Sequence, residues 1–234
     1  THAMGNSCGA MNKYTDLTDT EPLYQGGFIW DYIDQTLTMT NSYGEKFQAY
    51  GGDFGDRPSD GNFCGNGIVY GSDRSPSPKM QEVKYNYQNT QTIVSRDKAE
   101  VINKNLFINT NEFDCVVTLN RNGQQQEKVF IDTDVEPLSR KTYSIPIEVQ
   151  NDPGEYTLTV SFLLKKDRLW AKAGHEVAFG QGVYLVSDHK ELVNRKNEFP
   201  INVIHGKWNI GVRGENFEAL FSCMKGGLVS YRYG

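Results

Sequence analysis

Apolar and polar positions follow two regimes along the 234-residue chain. From Val83 to Val186 they alternate with a period of two, as in Phe113, Cys115, Val117, Leu119 and again in Tyr156, Leu158, Val160, Phe162, Leu164. Successive side chains of a strand point to opposite faces, so this alternation predicts strands with one buried face. The segment divides into seven of them, at 91–95, 99–105, 113–120, 126–132, 141–147, 155–164 and 176–186, with Asn122-Gly123 as a hairpin turn. Seven strands in about a hundred residues predict an immunoglobulin-like β-sandwich, without the Cys-Trp-Cys framework of antibody domains.

The first third is patterned differently. Ala10, Met11, Tyr14 and Leu17 recur at helical spacing after Asn6 or Ser7, either a suitable N-cap, and Thr20-Glu21-Pro22 ends the run. The compact apolar stretch from Tyr24 to Trp30 predicts a strand buried on both faces, as in a parallel sheet. Helix followed by buried strand points to an α/β barrel or a wound sheet. Residues 36–50 predict a hairpin about Asn41-Ser42-Tyr43-Gly44, followed by a loop rich in Gly and Asp. Two prolines among polar residues at 72–78 predict a boundary. A polar stretch from Ser187 to Glu198 then leads to a strand-like tail beginning at Pro200. At about 35 residues the tail falls below the size at which a core stands alone, so it is expected to open a larger sheet domain. The predicted organisation is mainly β with an α/β start, in segments 1–78, 79–188 and 189–234 of a chain cut at both ends.

Composition sharpens this picture. Eight Ala stand against 44 Val, Ile and Thr, and stiff β-branched side chains suit a pleated surface. The formal charge of -5, with 24 Lys and Arg scattered along the chain, gives phosphates no basic face and argues against nucleic acid. No apolar run approaches the roughly 18 residues of a membrane span, and the first 30 lack a signal-peptide layout. Cys8, Cys64, Cys115 and Cys223 stand too far apart for zinc or redox motifs. With no N-x-S/T sequon, they predict free thiols and a cytoplasmic protein.

The commonest phosphate, zinc-protease and serine-hydrolase signatures are missing. His175-Glu176 is half of a zincin motif without its second His. Asp53, Asp56 and Asp60 have spacings that suit a cation, but turn formation explains Asp and Gly there without one. Trp30-Asp31, at the end of the predicted buried strand, places an aromatic plate where α/β barrels keep their active sites. An indole stacks well on a sugar face, and capping the core is an equally good account of it.

Four blocks, THAMGNSCG at 1–9, YQGGFIWDYIDQ at 24–35, YGGDFGDRPSDGNFCGNGIV at 50–69 and RSPSPKMQEVK at 74–84, together resemble the β-galactosidases of glycoside hydrolase family 2. The stretches at 169–181 and 208–234 resemble the family's fourth and fifth domains, so the resemblance covers essentially the whole chain. It implies the end of a TIM-type barrel, an immunoglobulin-like sandwich and the first strands of a large C-terminal β-sandwich. It also implies a β-galactoside substrate, hydrolysed with retention by two glutamates. The nucleophile belongs to the strand ahead of His2-Ala3-Met4-Gly5-Asn6, with the acid/base glutamate and the magnesium ligands further upstream. No catalytic residue is therefore expected in this chain, and alone it is expected to be inactive.

His2 matches the family's histidine that contacts galactose hydroxyls, and Trp30 matches the tryptophan under the galactose. Phe63 and Asn66 match residues that give a backbone carbonyl and a side-chain amide oxygen to a sodium or potassium ion, so Asn66 counts toward both the sugar and the metal site. Gly61 and Gly65 fall where the family often has larger residues, and Tyr32 replaces a frequent Trp. The implied partners are the remainder of the enzyme and, when complete, further copies of it. The rival readings are a noncatalytic sugar-binding or scaffold sandwich and a subunit of a split enzyme. A barrel end of this size is expected to expose Phe28, Ile29 and Ile33.

Overall fold

The computed structural model describes residues 2–187 and 199–234, which fall into two compact units, Thr1–Val186 and Ser187–Gly234. The expected linker at 187–198 lies, apart from Ser187, outside the described residues.

The first expected helix is not continuous. Ser7 and Ala10 adopt φ of 58° and 61°, a left-handed conformation that no right-handed helix accommodates. Residues 4–11 are instead a chain of turns, in which Ser7 N donates to Met4 O and Gly9 N to Asn6 O. Helix follows only as two single turns, α1 (Asn12–Thr15) and α2 (Leu17–Thr20). Of the four periodic apolar residues Met11 alone is buried, together with Cys8.

The buried strand expected at 24–30 is absent too. Phe28 is 91% exposed, Ile29 and Ile33 are half-buried, and the only ladder contact in the run is a parallel bridge between Trp30 and His2. A strand covered on both faces needs neighbours along both edges and a layer on each side. The described residues supply only part of that set.

The hairpin forms as expected. β1 (Leu37–Thr40) pairs antiparallel with β2 (Lys46–Ala49), and Asn41 Oδ1 accepts from both Tyr43 N and Glu45 N at 2.9 Å to hold the turn. In the loop beyond, Asp53 accepts from Tyr50 N and Asp56 from Gly52 N, so these carboxylates hold turns. The proline-containing stretch leads straight into a helix that the pattern did not predict, α3 (Lys79–Tyr87), with Pro78 at its N-cap. Proline suits a helix start, because its missing N–H has no intrahelical partner there anyway. The helix buries only Val83, so it carries little periodicity to read. Val83 and Met80 pack with Ala3, Cys8, Met11, Ile29 and Ile68 in a small core.

The seven strands stand where the alternation places them: β3 (Thr90–Val94), β4 (Lys98–Asn103), β5 (Phe113–Arg121), β6 (Gln124–Ile131), β7 (Ser139–Ser144), β8 (Gly154–Leu164) and β9 (Glu176–Val186). They form two antiparallel sheets, ordered β3-β4-β7 and β6-β5-β8-β9. Asn122 and Gly123, at φ of 48° and 77°, make the two-residue turn between β5 and β6. Both sheets contribute to one core, in which Ala99 and Val101 of β4 join Val117 of β5 and Tyr156, Leu158, Val160 and Phe162 of β8. α3 is tied to this sandwich. Gln88, just past its end, donates to Phe179 O at 3.0 Å and accepts from Phe179 N at 2.8 Å, and Lys84 Nζ lies 2.8 Å from Glu176 Oε1.

The second unit is an antiparallel meander of β10 (Asn202–His205), β11 (Asn209–Arg213), β12 (Phe217–Ser222) and β13 (Gly227–Tyr233). Among its described residues only Ala219 is buried, so four strands of this length build no core of their own. All four cysteines are free thiols, and among the described residues no helix is long and apolar enough to cross a membrane.

Leu158, fully buried in β8, should cost about 2–5 kcal/mol on replacement by Ala, whereas Leu185→Ala on the exposed part of β9 should stay within about 0.5 kcal/mol; urea unfolding measures both. Burial pushes the Cys115 thiol from near 9 up to about 12. The native state therefore keeps a proton that the unfolded chain releases, and stability should fall as pH rises from 9 towards 12. Unfolding curves across that range should show a shallower decline for Cys115→Ala.

Candidate functional site

Residues 30–35 run between two other pieces of chain, and the contacts are made peptide by peptide. On one side Ala3 N donates to Trp30 O at 2.8 Å. On the other, Asp31 N donates to Asn66 O at 2.8 Å, Val69 N to Tyr32 O at 3.0 Å, Asp34 N to Val69 O at 3.2 Å and Gln35 N to Cys64 O at 2.9 Å. Only His2 with Trp30 and Ile33 with Val69 form parallel bridges here. The segments approach so closely at Gly67 that a Cβ there would collide with the backbone of Ile33 and Asp34. Gly67 N also donates to Asp34 Oδ1 at 2.8 Å.

This arrangement brings the four sequence-predicted residues together. The His2 ring lies 6.2 Å from that of Trp30 and 5.6 Å from that of Phe63, centre to centre. Trp30 is 50% and Phe63 44% exposed, so the three rings form an open aromatic surface. Phe63 sits in a 3-10 turn, Gly61–Cys64, where its N–H donates to Asp60 O. Three residues on, Asn66 is 0% exposed, and neither Oδ1 nor Nδ2 of its side chain has a hydrogen-bond partner. An amide left buried and unpaired costs about 1–3 kcal/mol per group, so it calls for an explanation. A bound oxygen-seeking cation at Oδ1 and a hydroxyl or water at Nδ2 would remove that cost.

The neighbouring carboxylates are engaged elsewhere. Asp31 accepts from Tyr32 N and from Gln35 Nε2, and Asp34 accepts from Gly67 N. Among the described residues no group of three or more His, Cys, Asp or Glu is placed to hold a metal ion. Cys8, in the small core, has its thiol pushed up by burial, which makes it a poor nucleophile. The arrangement offers exposed aromatic faces at His2, Trp30 and Phe63, and at Asn66 an amide with an unused acceptor and an unused donor.

Sequence reasoning missed two residues of this region. Asp34 receives the Gly67 N–H, and Lys79, the first residue of α3, donates from Nζ to Gly65 O at 3.2 Å and Gly67 O at 2.9 Å, on either side of Asn66. Neither leaves a mark in spacing or hydropathy. Of the departures noted in the sequence, Gly61 has φ of 57°, a conformation that favours glycine, whereas Gly65 does not.

Residues 1–92 match the model of the glycosyl hydrolases family 2 TIM barrel domain, and residues 99–184 match domain 4 of beta-galactosidase. The chain is 47% identical to a beta-galactosidase of Halalkalibacterium halodurans, over 99% of this chain and 23% of that protein. It is 45% identical to one from Clostridium acetobutylicum, over 99% of this chain and 26% of that one. With Beta-galactosidase BgaC of Bifidobacterium adolescentis the identity is 41%, over 100% and 22%. The chain thus spans about a quarter of the length of these curated relatives.

Replacing the orphaned amide by an apolar side chain should leave the ligand-free protein no less stable, because both unpaired groups disappear with it. Thermal unfolding in a buffer without alkali ions should therefore find Asn66→Leu at or above the wild type. Gly67→Ala should lose roughly 1–3 kcal/mol or more through overpacking.

Proposed function

Since the chain belongs to glycosyl hydrolase family 2, we propose that it is a portion of a longer retaining β-galactosidase and that His2, Trp30, Phe63 and Asn66 form part of its galactose pocket. One observation carries this: rings from positions 2, 30 and 63 meet on an open aromatic surface, and Asn66, whose backbone carbonyl accepts from Asp31 N next to Trp30, carries a buried amide that has no protein partner.

In this reading the substrate is a terminal β-D-galactose, as in lactose. The Trp30 ring offers its face to the apolar side of the sugar, and the His2 ring nitrogens reach hydroxyl groups. Phe63 O and Asn66 Oδ1 are the oxygens for a sodium or potassium ion, a partial site whose acidic ligand lies outside this chain. A buried carbonyl oxygen without a donor fits such a hard cation, which, when bound, supplies a positive centre for hydroxyl oxygens. The two catalytic glutamates and the magnesium ligands belong to the remainder of the enzyme. There one glutamate attacks the anomeric carbon while the other gives and then takes the proton.

The same reading assigns residues 1–78 to the end of a TIM-type barrel, 79–188 to an immunoglobulin-like sandwich and 189–234 to the start of a C-terminal β-sandwich. The strand order β3-β4-β7 over β6-β5-β8-β9 supports the middle assignment, since it puts the first, second and fifth strands in one sheet. The complete enzyme is a cytoplasmic homo-oligomer whose chains each include the missing barrel strands.

The isolated chain, freed of host enzyme, should not turn over a chromogenic galactoside, and steady turnover by it would refute this reading. In the complete enzyme Trp30→Ala should lower kcat/KM for the galactoside about 10- to 100-fold, equivalent to roughly 1.4–2.7 kcal/mol.

A further inference from the structure

We propose that Lys79 is a positioning residue of this site: its ammonium group clamps the two peptide carbonyls that flank Asn66 and thereby fixes where the buried amide points. The inference rests on the reading of Asn66 as a cation and sugar ligand.

The loop at 65–67 forms no ladder, yet its backbone is held at almost every point. Gly65 N donates to Asn62 O, Asn66 O accepts from Asp31 N, and Gly67 N donates to Asp34 Oδ1. The two remaining carbonyls, of Gly65 and Gly67, both accept from Lys79 Nζ. Glycine residues on both sides leave the backbone at Asn66 unusually free to rotate, so something outside the loop must fix its peptide planes. Bonds to a charged partner are roughly twice as strong as neutral ones, and of the two charged partners of this loop, Asp34 and Lys79, it is Lys79 that holds both carbonyls. The clamp has a second effect. It sets a positive charge against the Gly65 and Gly67 carbonyls, which disfavours a cation at either oxygen and leaves the side-chain amide oxygen of Asn66 as the ligand residues 65–67 offer.

Lys79 is itself held on a rigid element. Met80 and Val83, the next turn of α3, pack in the small core with Ala3 and Ile68, and the far end of the helix is fixed to the sandwich through Gln88 and Lys84. Residues that orient a metal ligand from behind typically change affinity on the order of 10- to 100-fold when removed.

The test uses the complete enzyme as wild type, Lys79→Met and Lys79→Arg, titrated with sodium chloride against choline chloride at constant ionic strength. The readouts are the rise in Tm and the hydrogen exchange of residues 63–68 and of α3. Lys79→Met should need about tenfold or more additional sodium for half its thermal effect and should exchange about tenfold faster at 63–68, with α3 unchanged. Lys79→Arg, which keeps a charged head with several donors, should stay near wild type in both. A wild type that responds to sodium with the same midpoint as Lys79→Met overturns the proposal alone. Unchanged exchange at 63–68 overturns it as well, and faster exchange throughout α3 reduces Lys79 to a fold-stabilising residue and overturns it equally. A wild type that does not distinguish sodium from choline overturns the cation reading, and the proposal with it.

Discussion

Backbone that joins no ladder must satisfy each of its peptide groups separately, and the site depends on this constraint. Around Asn66 the partners come from four directions: the turn at Asn62, the Trp30–Asp31 segment, the Asp34 side chain and the ammonium of Lys79. A buried N–H or C=O left without a partner costs about as much as a lost hydrogen bond, so these contacts decide where the loop lies. In a sheet the register of a whole strand is set at once. Here each peptide plane is set by a different residue, and the placement of the aromatic rings follows from the sum.

The exception makes the rule informative. Five of the six backbone N–H and C=O groups of residues 65–67 have the partners described above, while the Asn66 side chain, buried completely, has none. Its carbonyl oxygen can accept and its amide nitrogen can donate, so the side chain keeps a bonding capacity that no protein atom uses.

Much of this was legible in the residues, and the division is physical. The sandwich could be read strand by strand because one face of each is buried, as in β8, where Tyr156, Leu158, Val160 and Phe162 alternate with exposed or half-exposed neighbours. Helix periodicity misled at Ala10, because spacing says nothing about φ, and the left-handed turns at Ser7 and Ala10 break the helix where the pattern continues. α3 went unseen for the opposite reason: it buries one residue, and its proline start looks like a break. The run from Tyr24 to Trp30 reads as a doubly buried strand because its composition answers to neighbours, and few of those lie among the described residues. His2, Trp30, Phe63 and Asn66 are sixty-odd positions apart at the extremes and share no spacing; Trp30 stood out as an aromatic at the end of an apolar run, and only a match of whole blocks joined the other three to it. Lys79 belongs to such a block, yet no property of a lysine at a helix start announces its contacts.

Gly67 has a consequence for how such a pocket changes over generations. The position is closed to every other residue, since any Cβ meets the backbone of Ile33 and Asp34, and Asn66 beside it is sealed from solvent. Gly65, exposed and with an ordinary φ, tolerates a side chain at the expense of crowding Asn62 O alone. Side-chain variety in this loop is thereby confined to its rim, at Gly65, while the Asn66–Gly67 pair behind it is sterically fixed.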